Sequence, residues 1–477
     1  VTKKLTEDII EGYYEVLKNP LEKKYKKSKE ASRIYEIFEA QEGIVPIEEL
    51  EKNRQWIKCN IFHLENVDFS KKDYLKIFFE TEHENIEREE RRYLLPNIYN
   101  NNDYNVEIDD EIYGLPDNNQ GMNAKKPYLA AKTRKIPISY LVDGEEVMLQ
   151  RLFFDYMMNL ASAGKYDVYV DTVNKKILAY GPKEIPQDIE AGYYLRIKKG
   201  KEVEIQQQDN IPGFHQNLEE AFDFLNISGY QNKKHPECLD RYRRYYTRAE
   251  IGKLIDEVFF SKYLESNYYI EASEVSITDA VLKESVILSK DKIFAWVREG
   301  VDEGFFTVLK KVSLDLIKGS VLNGYRERAL WQLNLRWSFE NYFMKGEGNM
   351  ETRKQGIAES VQKKVFGEDE GWIENNEEYY YAVGQMAAYL ISLSKSKNRN
   401  QSLINPFLNA RKNEVIKLKL RQLYKKYNYT IPVGIKRIGR MMSLIEEYIP
   451  SGDVDQDMII FGFLNENIIY MKEEKQS

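Results

Sequence analysis

Apolar residues recur at three- and four-residue steps through the first fifty positions. DIIEGYYEVLKNPLEKKY and SKEASRIYEIFEA each turn one face toward a core, which predicts helices. RQWIKCNIFHLENV and YLKIFFETE then move toward period two with β-branched and aromatic content, which predicts strands. A long polar stretch follows, from LLPNIYNNNDYNVEIDDE to LPDNNQGMNAKKPYLAAKTRK, with turn signals at GLPD and NNQG. Its tyrosines, Tyr99, Tyr104, Tyr113 and Tyr128, argue for order. VDGEEVMLQRLFFDYMMNLASAG is an amphipathic helix ended by Gly164. YDVYVDTVNKKILAYG alternates around Asn174 as a hairpin, and YYLRIKKGKEVEIQQQ does so around Gly200. From Leu218 onward nearly every window reads as helix, ending in RKQGIAESVQKKVF, EEYYYAVGQMAAYLISLSK, NPFLNARKNEVIKLKLRQLYKKY, GIKRIGRMMSLIEEYI and DQDMIIFGFLNENIIYM. The pattern predicts an α+β protein: a mixed α/β region over 1–215, a helical middle region over 216–343 and a helical bundle over 350–477.

Composition changes this picture little. At 477 residues with 42% hydrophobic and 31% charged positions, the chain can bury more than one core, and no apolar run is long enough for a membrane span. The first residues lack the apolar core of a secretory signal, and Cys59 and Cys238 do not make a disulfide framework. Both features lead us to expect a cytoplasmic protein.

Charge changes it more. The net charge is -7, yet from Lys395 to Arg440 thirteen Lys or Arg stand against one acid, Glu414. Positive charge gathered in one segment of an acidic chain is the footprint of a polyanion partner, although a solvated lysine face gives the same count. Within it Lys417, Lys419, Arg421, Lys425, Lys426, Lys436, Arg437 and Arg440 are the candidate backbone contacts. Lys417, Arg421 and Lys425 follow at four-residue steps along one flank, with Leu418, Leu420, Leu423 and Tyr424 supplying an apolar side. A second candidate is the turn segment NAKKPYLAAKTRK, whose Asn123, Lys125, Lys126, Lys132, Thr133, Arg134 and Lys135 can reach base edges and phosphates. Alone, it also reads as an ordinary polar turn.

The catalytic inventory is thin. Four histidines form no HExxH pair, HPEC has no second Cys/His pair, and neither a Walker loop nor a G-x-S-x-G elbow occurs. DVDQD begins like a calcium loop, but Met458 replaces its glycine and Leu464 its bidentate glutamate, so a helix N-terminus rich in Asp is the better reading. We therefore expect a non-enzymatic binding protein without cofactor or metal. Two alternatives stay open: a metal-dependent nuclease using the carboxylates of EIDDE (Glu107, Asp109, Asp110, Glu111), and a helical scaffold that binds only proteins.

YGLPDNNQGMNAKKPYLAAKTRK followed by FFDYMMNLASAGKYDVYVD, with YYYAVGQMAAYLISLSKS, LRQLYKKYNYTI and FGFLNENIIY, resembles the large subunit of type I-B CRISPR interference complexes (Cascade), the Csh-one family. The similarity runs, with gaps, from about Trp56 to Met471. It implies a non-catalytic subunit in antiviral defence that binds CRISPR RNA and target DNA. Such a subunit helps recognise the protospacer-adjacent motif, sits among backbone, guide-end-binding and small subunits, and helps recruit a helicase-nuclease. Base pairing would read the long target and protein side chains the short flanking motif, which gives Asn123–Lys135 that role.

The resemblance also bears on the spacer MKGEGNMETR. In this family the C-terminal bundle is thought to be made separately as well, from an internal start, as the small subunit. Lys-Gly-Glu-Gly-Asn-Met back-translates to AAR GGN GAR GGN AAY ATG, which can contain GGAG shortly before the ATG. Met350 is thus a candidate internal start, whose product would carry the whole basic segment; a flexible linker explains the same residues.

Overall fold

The computed structural model describes residues 6–471 except 65–66, 68–74, 100–104, 117–140, 231–239, 345–349, 369–370, 395–400 and 433–434. The fold is α+β, with helices predominating toward the C-terminus. Its contacts divide into two compact units, Val1–Asp167 with Arg196–Gln207, and Val168–Leu195 with Gln208–Ser477.

The first unit opens with helices α1 (Glu7–Lys18), α2 (Pro20–Lys23), α3 (Lys29–Glu42), α4 (Ile47–Asn60) and α5 (His83–Leu94). Thr6 and Ser28 cap α1 and α3 by accepting the N–H groups of Ile9 and Ala31, as short hydroxyl residues do before a helix. Where a strand is expected over 54–67, residues 54–60 are instead the end of α4 and 61–63 the turn after it. Leu50, Ile57 and Ile61, seven and four residues apart, meet Ile10 and Tyr14, and this helical spacing outweighs the local alternation. Leu75–Thr81 forms no regular element; Phe79 rests edge-on against Trp56. A small hairpin, β1 (Val106–Ile108) and β2 (Glu111–Tyr113), precedes α6 (Gly144–Ser162). Asp143 caps α6, and Gly164 at φ +77° ends it in the way its sequence indicates.

Strands β3 (Asp167–Asp171), β4 (Lys176–Tyr180), β5 (Gly192–Lys199) and β6 (Val203–Ile211) form a sheet in the order β4-β3-β5-β6. Both hairpins fall at the expected turns. Asp171 Oδ1 accepts the N–H groups of Val173 and Asn174 at the first, and Gly200 bonds to Glu202 O at the second. A second sheet interrupts the stretch read as helix: β7 (Asn217–Asp223) pairs antiparallel with β8 (Arg244–Thr247). The glutamates of LEEAFD favour helix locally, and the partner strand lies some twenty residues on, where no local pattern signals it.

The rest is helical: α7 (Arg248–Val258), α8 (Ala280–Phe294), α9 (Phe305–Leu322), α10 (Arg326–Met344), α11 (Met350–Phe366), α12 (Asn376–Ser392), α13 (Asn405–Leu408), α14 (Asn413–Tyr427), α15 (Lys436–Glu447) and α16 (Gln456–Leu464). At the centre α12 and α16 cross at backbone contact. A Cβ on Gly384 would stand 2.1 Å from Ile459 O, and one on Gly462 would stand 2.1 Å from Tyr381 O, so only glycine permits the crossing. The core around them draws Ile317, Val321, Leu330, Leu333 and Trp337 from α9 and α10 as well as residues of α11–α16. Trp337 meets Phe461 edge-on at 5.3 Å, and Arg336 pairs with Asp457 at 2.8 Å. Asp455 caps α16 by accepting the N–H of Met458, the role read from DVDQD.

Candidate nucleic-acid interface

Helix α14 sinks Ile416, Leu420, Leu423 and Tyr427 into the bundle. The opposite side decides which basic residues of Lys395–Arg440 remain outward. A helix turns about 100° per residue, so a four-residue step overshoots a full turn by about 40°. Lys417, Arg421 and Lys425 therefore drift around the helix rather than share a flank. Lys417 points to the end of α15, where its Nζ donates to Glu446 O at 2.9 Å and Tyr448 O at 2.7 Å; burial lowers its pKa. Arg421 forms a two-pronged ion pair with Glu446, and the carboxylate bonded to it raises its pKa further. Arg421 and Lys425 are both exposed, but of the three only Lys425 has no such partner.

Seven-residue steps hold a face far better, because two turns miss by only about 20°. Lys412, Lys419 and Lys426 make one basic row on that spacing, and Arg411 and Lys425 lie on the other side. Between them run Val415 and Gln422, with Tyr429 just past the helix end. Leu418, assigned to the apolar side from sequence, is 51% exposed on this outer face. Gln422 Oε1 accepts from Lys419 Nζ at 3.1 Å, a contact that leaves the charge uncompensated. Among the described residues no carboxylate pairs with Arg411, Lys412, Lys419, Lys425, Lys426 or Lys436. Val415, Leu418, Gln422 and Tyr429 are functional candidates that sequence reasoning missed; the seven-residue repeat was the available signal.

Arg437 and Arg440 serve the bundle itself. Arg437 donates to Met471 O at 2.6 Å with its guanidinium 4.0 Å from the centre of the Phe366 ring. Arg440 donates to Lys364 O and Gly371 O and lies over Trp372. Arginine satisfies several carbonyls at once with its planar fork, so these positions tie α15 to the end of α11, to Gly371 just beyond it and to Met471.

The segment holding Asn123, Lys125, Lys126, Lys132, Thr133, Arg134 and Lys135 lies outside the described residues, whereas its base does not. Gly114 and Val142 exchange both backbone hydrogen bonds at 2.9 Å, and Tyr99 bridges to Pro116. Gly114, expected as a turn residue, instead permits a close approach: a Cβ there would lie 2.4 Å from the Tyr99 ring. Tyr99 OH donates to Ile112 O, securing the collar.

The carboxylates of EIDDE occupy the β1–β2 turn, where Asp109 and Asp110 adopt left-handed conformations. Glu107 is held by Arg33 through a two-pronged ion pair, which lowers its pKa. A cavity of about 190 Å³ beside this turn is lined by apolar residues such as Phe38, Leu95 and Ile112 and by Asp110, Glu111, Asp143 and Glu145 against the single cation Arg91, a balance that disfavours phosphate. Among the described residues no three His, Cys, Asp or Glu gather as metal ligands, and no helix is long and apolar enough to cross a membrane. No family model, curated protein or solved structure matches this chain.

Proposed function

We propose that this chain is a non-catalytic, nucleic-acid-binding large subunit of an RNA-guided interference complex of the type I-B class. The observation that carries the reading is the outer side of α14 and the two residues before it, where Arg411, Lys412, Lys419, Lys425 and Lys426 have no carboxylate partner among the described residues and Glu414 is the one exposed acid beside them. Such a face holds a phosphate backbone without reading its sequence. The collar at Gly114–Val142 brackets the segment that would read a short flanking motif through Asn123–Lys135, while a guide RNA reads the remainder of the target. An exposed row on α6, Leu149, Leu152 and Tyr156, suits a chain that works among other subunits, including those that hold the guide and recruit a helicase-nuclease. Met350 lies in α11, so a product begun there would carry α11–α16.

The test is equilibrium binding of the full chain to DNA across a salt series. We expect log K to fall linearly with log salt, and expect replacement of Lys412, Lys419 and Lys426 by Ser to flatten that slope by about two to three units. An unchanged slope would remove α14 from the interface. Expression of the unmodified gene with a C-terminal tag, followed by intact-mass measurement, tests the second product: a species beginning at Met350, lost when that codon is altered, is the expected result.

A further inference from the structure

The cavity of the first unit is graded from apolar to acidic. It lies where α3, the end of α5, strand β2 and the start of α6 meet. Its lining residues Ile34, Phe38, Leu95 and Tyr99 are buried, whereas Asp110, Glu111 and Glu145 are exposed. Asp143 stands with these acids. The one lining cation is Arg91, which pairs with none of the four and whose Nε is buried without a hydrogen-bond partner. Part of the negative charge is answered: Asp143 caps α6, Glu111 accepts the Tyr113 hydroxyl at 3.0 Å, and Asp110 lies 3.9 Å from Arg33. Glu145 has no partner among the described residues. Even with about half a positive charge added for the N-terminus of α6, acid exceeds base around this space.

We propose that this cavity takes a small organic cation, an ammonium group on an apolar body about the size of one aromatic ring. An apolar cavity of about 150 Å³ holds benzene, so one of about 190 Å³ has room for a ring and a short arm. The body lies against the buried apolar residues, where it leaves water, and the ammonium lies toward the exposed carboxylates. Those carboxylates come from two elements, the β1–β2 turn and the start of α6, and repel one another across the space until a cation stands between them. An anion of the same shape meets the same apolar surface but the wrong charge. A bare ammonium meets the right charge but leaves the apolar surface wet. Ile112 and Asp143 flank the Gly114–Val142 pair on its two strands, so a bound cation also joins the two sides of that collar. The site belongs to the first unit and stands whatever α14 binds.

The experiment is calorimetric titration of the full chain at neutral pH with three probes: phenethylamine, hydrocinnamate and ethylamine. Hydrocinnamate has nearly the shape of phenethylamine and the opposite charge, while ethylamine keeps the charge and loses the ring. We expect phenethylamine to bind with a Kd on the order of 1 mM, about what a ligand of that size sustains, and to weaken as salt is raised. The other two should bind at least about tenfold more weakly. Asp110→Asn combined with Glu145→Gln should weaken phenethylamine about fivefold, the range of two exposed ion pairs. Gly144→Met tests the place without changing charge. A Cβ on Gly144 meets only Leu95, at an ordinary 3.6 Å, so the longer side chain enters the cavity that both residues line. It should abolish binding and leave the melting curve intact. Equal binding of hydrocinnamate would overturn the choice of a cation, and equal binding of ethylamine would overturn the apolar body. Phenethylamine binding that persists in Gly144→Met, or no saturable binding to the parent chain, would overturn the site itself.

Discussion

Asp256 is a carboxylate with almost no access to water, and its position sets a pH dependence. Its Oδ1 accepts the N–H of Leu264 at 2.7 Å, across a turn in which Ser261 and Lys262 are both left-handed. Burial pushes its pKa up to about 6, against the backbone donors that pull it down. A carboxyl raised in the folded state favours folding below its ordinary range near 4, and the benefit is lost as pH rises through about 6. Asp256→Asn keeps an acceptor for Leu264 and removes the buried charge. It should stabilise the chain by about 2–3 kcal/mol at pH 8 and by almost nothing at pH 4, read as the shift in urea midpoint at each pH. Gly114 is sensitive for a steric reason. Gly114→Ala brings a Cβ into the Tyr99 ring and Asn105 Oδ1, and should destabilise the first unit by about 1–3 kcal/mol in a thermal melt.

At the scale of elements, α14 and α15 divide the labour of one basic segment. Composition presents the cations of Lys395–Arg440 as equivalent, while helix phase and tertiary neighbours separate them. Arg437 and Arg440 bond backbone carbonyls of the bundle, so Arg437→Ala should cost about 1–2 kcal/mol of stability in denaturant without altering the salt slope of DNA binding. Replacing Lys425 and Lys426, which face out, should do the reverse. A single melt and a single salt series on the two variants distinguish the roles. The buried pair of Lys364 and Glu378 belongs to the structural group as well. Burial disfavours the lysine's charge, but Glu378 and Glu374 outweigh it and raise its pKa. Breaking the pair leaves an uncompensated buried charge.

For the molecule as a whole, the bundle of α11–α16 shares its core with α9 and α10. Trp337 is wholly buried against Phe461, Lys354 lies 5.2 Å over its ring, and Arg336 neutralises Asp457. Trp337→Ala in the full chain should therefore destabilise the second unit by about 3–5 kcal/mol, seen as an earlier transition in denaturant. A product beginning at Met350 lacks Trp337 and Arg336. It should expose Phe461 and the neighbouring side of α16, and so bind a hydrophobic dye or self-associate when made alone. A monodisperse, dye-silent monomer would show that the bundle repacks without α10.

Much of this architecture was legible in the residues themselves. The helical periods, the hairpins at Asn174 and Gly200, the stop at Gly164 and the Asp-rich start of α16 are local signals, because caps, turns and amphipathic faces are decided within a few neighbours. The gathering of cations near the C-terminus was equally plain. What the tertiary structure decided were relations between distant segments: the pairing of β7 with β8, the helical state of Arg54–Asn60 packed on α1, and the neighbours by which Lys417 is taken up by α15 carbonyls and Arg421 by Glu446 while Leu418 and Tyr429 stay exposed. Those outcomes depend on which neighbour supplies a carbonyl, a carboxylate or an apolar surface, and a single chain read in order does not contain that geometry.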